Sequence, residues 1–284
     1  MNIPSINLVV GSNGFIGKNI LGALKGECEV TGVANRTSWQ RLMASDVDFS
    51  EFKSIYWCAS TVNPSTASSF PDLVEKELET WNNFLVRLNS IPVARRPKVV
   101  FISSGGCTYT DSSEPFTEDS EAFGTNEYGK MKIEQESALR HFSVPFAILR
   151  AGNVYGPGQA VGRGQGVIAN WIHSYREAKV INVFGSQETF RDYIYVDDFV
   201  SAALKIGGNY QGLFNVSSGI KTSLAELVET FKLILKSDIH ISYGVPRSYD
   251  RDSYVLDNSK IHQATSWKPV IDLEKGLRLT LLAE

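Results

Sequence analysis

Short β-branched runs alternate with longer amphipathic stretches through the first half of the chain. The pattern predicts strands near 6–10, 29–34, 54–58 and 98–103, and helices near 15–25 and 72–89. Parallel neighbours need long crossover connections, so this alternation reads as βαβ units on a parallel sheet. The runs PFAILRA, INVFG and LFNVSSG extend it. Nearer the carboxyl end, LAELVETFKLIL sets Leu224, Leu227, Val228, Phe231, Ile234 and Leu235 at helical spacing. That one-sided stripe reads as packing rather than binding. No internal repeat or low-complexity linker interrupts the pattern.

Composition narrows the picture. A chain of 284 residues suits one large α/β unit with an appended lobe. With 43% hydrophobic and 21% charged residues it reads as globular rather than disordered. A net charge of -3 argues against a broad nucleic-acid surface. Cys28, Cys58 and Cys107 are too few and too scattered for a disulfide framework or a metal site, so reduced thiols in a cytoplasmic protein are expected. No apolar run approaches a membrane span, and MNIPSINLVV lacks a basic segment before its hydrophobic run. The Asn-x-Ser/Thr matches at Asn35 and Asn215 read as chance.

Candidate chemistry begins at GSNGFIG, where Gly11, Gly14 and Gly17 follow the first strand and open a helix. A loop free of side chains lets backbone N–H groups approach a diphosphate, and the helix amino end adds a favourable dipole. The loop and helix start offer Gly11, Asn13, Gly14, Phe15, Ile16 and Gly17 as cofactor contacts, with Ala59 beyond the third strand. A NAD site usually places a carboxylate at the end of the second strand. This chain has Ala34, Asn35, Arg36, Thr37 and Ser38 there. A guanidinium and small hydroxyls suit a 2′-phosphate, which favours NADP(H) and leaves NAD(H) open. Downstream, NEYGKMKIEQE sets Tyr128 and Lys132 four apart, on one face if helical. A neighbouring ammonium favours the phenolate and brings the phenol toward acid–base use, and Lys132 can also hold the nicotinamide ribose.

GSNGFIG resembles the extended short-chain dehydrogenase/reductase family, whose members act mostly on nucleotide-linked sugars. The resemblance runs over almost the whole chain and implies a modified Rossmann fold, a doubly wound parallel sheet with a small carboxyl-terminal substrate-binding lobe. Residues 1–155 would form the dinucleotide-binding domain, completed by parts of 180–217, and 156–284 the interleaved lobe. The family's substrate-polarising Ser/Thr falls at Gly105 here, so Ser104 becomes the candidate hydroxyl, with Ser103 or Thr108 as substitutes. The Asp-Glu pair of the family's dehydratases falls at Gly106 and Cys107, which implies no such elimination. Cys107 also matches a cysteine of the GDP-fucose synthase relatives. Their partner histidine falls at Gly166, with His173 seven residues on, so an inert thiol is the favoured reading.

LRAGNVYGPGQ, RDYIYVDDFV and PRSYDRDSYVLDNSKI resemble family segments that contact the sugar nucleotide. They imply substrate roles for Asn153, Arg191 and Arg247, with Arg251 a weaker candidate. Salt bridges to Asp192 or Asp250 are the plain alternative for the arginines. The resemblance also implies a homodimer, formed by the helix near 72–89 and the one bearing Tyr128, with Trp81, Phe84 and Leu85 partly covered by the partner. The expected reaction is NADPH-dependent reduction of a nucleotide-linked 4-keto-6-deoxy sugar. A UDP-hexose 4-epimerase with bound NAD is the alternative enzyme, and a non-catalytic dinucleotide sensor the alternative of another class.

Overall fold

Leu8 and Val10 of the first strand pack into one core and Val9 into another, and all three are buried. Side chains alternate across a strand, so a strand apolar at every position needs cover on both faces. The computed structural model describes residues 6–110, 114–162, 165–235, 239–246 and 253–283, and in it that cover is helical.

The chain runs through β1 (Ile6–Val10), α1 (Phe15–Lys25), β2 (Val30–Val33), α2 (Arg36–Ala44), β3 (Phe52–Trp57) and α3 (Pro71–Asn89). It continues through β4 (Lys98–Ser104), the single turn α4 (Gly105–Thr108), α5 (Glu127–His141) and β5 (Phe146–Ala151). Then come β6 (Asn153–Tyr155), α6 (Val167–Arg176), β7 (Ile181–Phe184), β8 (Phe190–Tyr195) and α7 (Val196–Asn209). Last are β9 (Gly212–Val216), β10 (Lys221–Ser223), α8 (Leu224–Leu235), β11 (Ile241–Gly244), α9 (Ser259–Thr265) and α10 (Leu273–Ala283).

Six strands form one parallel sheet in the order β2-β1-β3-β4-β5-β9. Val10 lies opposite both Val33 and Trp57, so β1, β2 and β3 end together. The strand order reverses between β1 and β3, and the crevice beyond the carboxyl ends at such a switch point is where α/β sheets bind ligands. Helices α1 and α7 cover one face, where Ile20, Leu24, Phe199 and Ile206 join Val9. On the other face, Trp39, Trp81, Phe84, Leu88 and Leu139 of α2, α3 and α5 meet Leu8 and Val10.

The structure corrects three expectations. INVFG does not extend the main sheet: β7 pairs with β11 in a separate two-stranded sheet. Trp81, Phe84 and Leu85 are fully buried within the chain itself, so a partner is not what covers them. Phe84 stacks on Trp57, and Trp81 meets Trp57 edge-on and Phe101 at a tilt, because the same helical stripe that could suit a partner faces the sheet. Helix α2 was also not expected. It starts from a reciprocal cap in which the Ser38 N–H donates to Asn35 Oδ1 and the Asn35 N–H to Ser38 Oγ, both at 3.0 Å.

The remaining strands, β10-β8-β6, form a three-stranded sheet beside the carboxyl ends of the main one. Lys18 Nζ donates to the Gly158 carbonyl at 2.9 Å, tying α1 to the loop after β6. The Asp198 carboxylate accepts from the N–H groups of Val270 and Ile271, anchoring the approach to α10. No helix among the described residues is long and apolar enough to cross a membrane.

Candidate active site

The loop after β1 is tight because its glycines leave no room for anything else. Gly11 sits at φ +84°, and a Cβ there would lie 2.7 Å from the Ala59 nitrogen; one at Gly17 would collide with the Gly11 carbonyl. Helix α1 starts at Gly14 with no side-chain cap, so no side chain covers the amides of its first turn. Such a cradle, close-packed below and open above, fits a diphosphate. Gly14, Phe15 and Ile16 form one wall of a cleft of about 660 Å³.

Ser104, Tyr128, Lys132, Asn153 and Arg191 line the same cleft. Sequence positions from both halves of the chain are thereby brought together. Gly11, Asn13, Gly17, Asn35, Arg36 and Ala59 are not part of its lining. Gly11, Gly17 and Ala59 shape the floor, whereas Asn13, Asn35 and Arg36 are exposed. Arg36 is the first residue of α2, and the Val33 carbonyl at the end of β2 accepts from the N–H groups of Gly11 and Ser12. The end of β2 therefore lies directly against the glycine loop. The Ser38 hydroxyl, expected as a phosphate donor, instead donates to the Asn35 carbonyl at 2.8 Å. Arg247 and Arg251 lie outside the described residues.

Tyr128 is placed by its helix. The Cys107 carbonyl accepts from the Thr125 N–H at 2.8 Å, and α5 passes so close that residue 129 has no space for a Cβ. Burial pushes the Tyr128 phenol well above its usual value, with the charges of Cys107 and Glu77 adding to the effect. The sequence suggested that Lys132 would favour the phenolate. In the folded chain Lys132 Nζ lies 5.5 Å from the Tyr128 ring centre, and burial wins. Tyr128 is thus a protonated phenol, the form that gives up a proton. Lys132 donates to the Ile102 carbonyl at 3.4 Å. Burial lowers its pKa, and the charges of Glu77, Glu136 and Cys58 oppose that shift.

Of the hydroxyls of Ser103, Ser104 and Thr108, only that of Ser104 faces the cleft without a hydrogen bond among the described residues. Ser103 reaches the cleft's edge, but its hydroxyl donates to Glu136 at 2.6 Å. Thr108 is fully buried and donates to the Ser104 carbonyl at 2.5 Å. Cys107 lines the cleft, as does Gly166, which caps α6 at φ +77°, whereas His173 is exposed on α6.

Sequence reasoning missed Glu77. It stands on the buried face of α3, one turn before Trp81, and accepts from Ser60 Oγ at 2.8 Å, the Thr61 N–H at 2.6 Å and Thr61 Oγ1 at 2.7 Å. It fixes the loop after β3 that forms the opposite cleft wall. A carboxylate inside an apolar helical stripe was the available signal. Beside Ser103, Arg150 on β5 forms a buried pair with Glu136 at 2.7 and 3.0 Å.

A glycine loop and a Tyr-Lys pair thus share one cleft, and comparison with known proteins identifies the family. The family model described as NAD dependent epimerase/dehydratase matches residues 7–216. The chain belongs to that family. A dTDP-4-dehydro-6-deoxyglucose reductase of Escherichia coli is 32% identical over 187 residues, covering 63% of this chain and 59% of the relative. A UDP-glucose 4-epimerase of Mycolicibacterium smegmatis is 30% identical over 191 residues, covering 65% and 61%. The chain thus spans about three fifths of these relatives' length. The crystal structure of Thermus thermophilus UDP-glucose 4-epimerase in complex with NAD superposes with a TM-score of 0.86 at 22% identity, covering 98% of each chain. At that identity the likeness is one of fold, and it is the epimerase/dehydratase fold.

Proposed function

We propose that this protein reduces a nucleotide-linked 4-keto-6-deoxy sugar at C4, using NADPH. The observation that carries the reading is the convergence of Tyr128, Lys132 and Ser104 on one cleft walled by the amino end of α1. A nicotinamide dinucleotide bound there supplies the hydride. Phe15 and Ile16 present backbone N–H groups to its diphosphate, while the Gly14 N–H closes the loop on the Gly11 carbonyl at 2.9 Å. Arg36 and Thr37, exposed at the start of α2, are the groups left to meet a 2′-phosphate once Asn35 and Ser38 are engaged in the cap. Lys132 holds the nicotinamide ribose.

Tyr128 then gives its proton to the carbonyl oxygen as that oxygen gains charge, while the Ser104 hydroxyl polarises it. Asn153 and Arg191 bind the sugar nucleotide, with Arg191 on its diphosphate.

The second reading is a 4-epimerase with retained NAD, favoured by the Mycolicibacterium smegmatis relative. Net oxidation of added NADPH, one per sugar, on supplying a nucleotide-linked 4-keto sugar supports the reductase. Interconversion of UDP-glucose and UDP-galactose without net change in cofactor overturns it. Arg36→Ala is expected to weaken NADPH binding by about 1.5–3 kcal/mol and NADH binding little, as for loss of a charge-assisted hydrogen bond. Equal losses for both cofactors would remove the 2′-phosphate assignment.

A further inference from the structure

Two walls of the cleft are set by contacts distant in sequence. In one, a Cβ on Gly106 would lie 2.7 Å from Cε1 and Cζ of the Tyr254 ring, which fills that space. In the other, Ser60, Val62 and Pro64 belong to the loop after β3, and Glu77 holds that loop through Ser60 and Thr61. Val62 packs with Tyr128 and Met131 of α5 and with Leu73, Val74 and Leu78 of α3. Leu73 and Val74 stand one turn before Glu77 on the same helical face. A hydrogen bond from Trp81 Nε1 to the Gln135 carbonyl at 3.0 Å ties the two helices further along.

The buried charges beside this wall do not all meet. Glu136 takes Arg150 at 2.7 and 3.0 Å, so that carboxylate already has its cation. Lys132 is 2% exposed, donates to the Ile102 carbonyl, and lies 4.8 Å from the Phe101 ring centre and 5.5 Å from that of Tyr128. It forms no salt bridge among the described residues. Glu77 is its converse: 7% exposed, with three donors that are all neutral. A buried charge is costly unless an opposite one compensates it. One cation and one anion are thus left over on packed helices. Burial lowers the Lys132 pKa, and Glu77 leads the charges that oppose this, ahead of Glu136 and Cys58.

We propose that Glu77 is the counter-charge of Lys132, a positioning residue held off the ammonium by Ser60 and Thr61, so that Lys132 stays charged with N–H groups open to the nicotinamide ribose. This rests on the reading of Lys132 as the residue that holds that ribose. A direct salt bridge would supply the same charge but occupy the donors. Charge fixed on a neighbouring loop leaves them available.

The test uses Glu77→Gln, which removes the charge and can keep the bonds. Ser60 Oγ also lies 2.8 Å from the Val62 carbonyl, so it can donate there and accept from the new amide, while the amide oxygen takes both Thr61 donors. NADPH binding is followed by fluorescence from about pH 6 to about pH 10 in wild type and variant. The affinity of the variant should fall away about one unit lower in pH, the scale of a nearby opposite charge, because its Lys132 loses the proton sooner. The same charge acts on Tyr128, after burial and Cys107, so a change there has the same sign. A loss equal at every pH, or an unchanged profile, overturns the proposal.

A second measurement needs no cofactor. Lys132→Met leaves Glu77 without its counter-charge and should lower the melting temperature, and adding Glu77→Gln should restore most of that loss. Losses that simply add overturn the pairing. A wild type that binds neither NADPH nor NADH overturns the cofactor reading and the ribose half of this proposal, while the melting series still decides the charge pairing.

Discussion

Two buried carboxylates support the cleft from opposite sides, and they are compensated in different ways. Glu136, beneath the sheet, accepts from Arg150 and from Ser103, with the half-exposed Arg140 at 3.4 Å. Asp192, in the three-stranded sheet, accepts from the N–H groups of Ser218, Gly219 and Leu256 and from the Ser218 hydroxyl, all neutral donors. The salt bridge to Arg191 offered by adjacency in sequence is not among its bonds, because neighbours along a strand point to opposite faces.

The difference follows from what each must hold. Glu136 sits where regular strands and a helix already satisfy the backbone, so its partners are side chains. Asp192 sits where the chain at 217–220 and 253–257 has no regular pairing, and one carboxylate gathers the loose amides. Charge on charge fastens elements to one another, whereas charge on amides shapes loops.

The largest test of this contrast is Arg150→Met, which leaves the Glu136 charge buried without its main partner. Loss of about 3–5 kcal/mol in urea unfolding is expected, and Glu136→Leu added to it should recover most of that loss. A double variant as unstable as the single one would mean that packing, not pairing, dominates there. Next in size, Asp192→Ala should cost about 1.5–3 kcal/mol. Its signature is local: hydrogen exchange should quicken at the amides of Ser218, Gly219 and Leu256 while those of β4 and β5 keep their protection. Uniform acceleration across the sheet would erase the distinction between the two carboxylates.

The smallest effect is one of pH. Burial raises the pKa of Asp192 above its usual 3.8, although the bonds from Ser218 and Leu256 pull against the shift. Between 3.8 and that higher value the native chain holds a proton that the unfolded chain has lost, so this group's contribution to stability falls as pH rises. Wild type measured against Asp192→Asn, which does not titrate, should show its greatest relative stability below about pH 4 and a declining one above it. A relative stability that climbs with pH would show that the hydrogen bonds outweigh burial.

What could be read from the sequence was what local geometry demands. Gly11 and Gly17 are dictated by a tight strand-to-helix turn, and Tyr128 and Lys132 by one helical turn; both constraints act over a few residues. The apolar stripe holding Trp81, Phe84 and Leu85 was equally visible, but periodicity gives a face and not what lies against it. The same limit placed INVFG in the wrong sheet, since strand character does not name its partner. Helix α2 escaped notice although Asn35 and Ser38 spell its cap. Reading them only as phosphate ligands hid their structural use. Glu77 acts through contacts distant in sequence, and only its place as a carboxylate inside an apolar helical stripe hinted at them.

The contact between Gly106 and Tyr254 binds two distant positions into one evolutionary unit. A side chain can enter at 106 only if the Tyr254 ring shifts or is replaced by something smaller, so the two positions are coupled. Redesign of this wall therefore proceeds by exchange rather than by addition. Enlarging the turn and trimming the opposing ring together would trade one set of functional groups for another at nearly constant volume, whereas either change alone would overfill the cleft or leave a void beside the glycines.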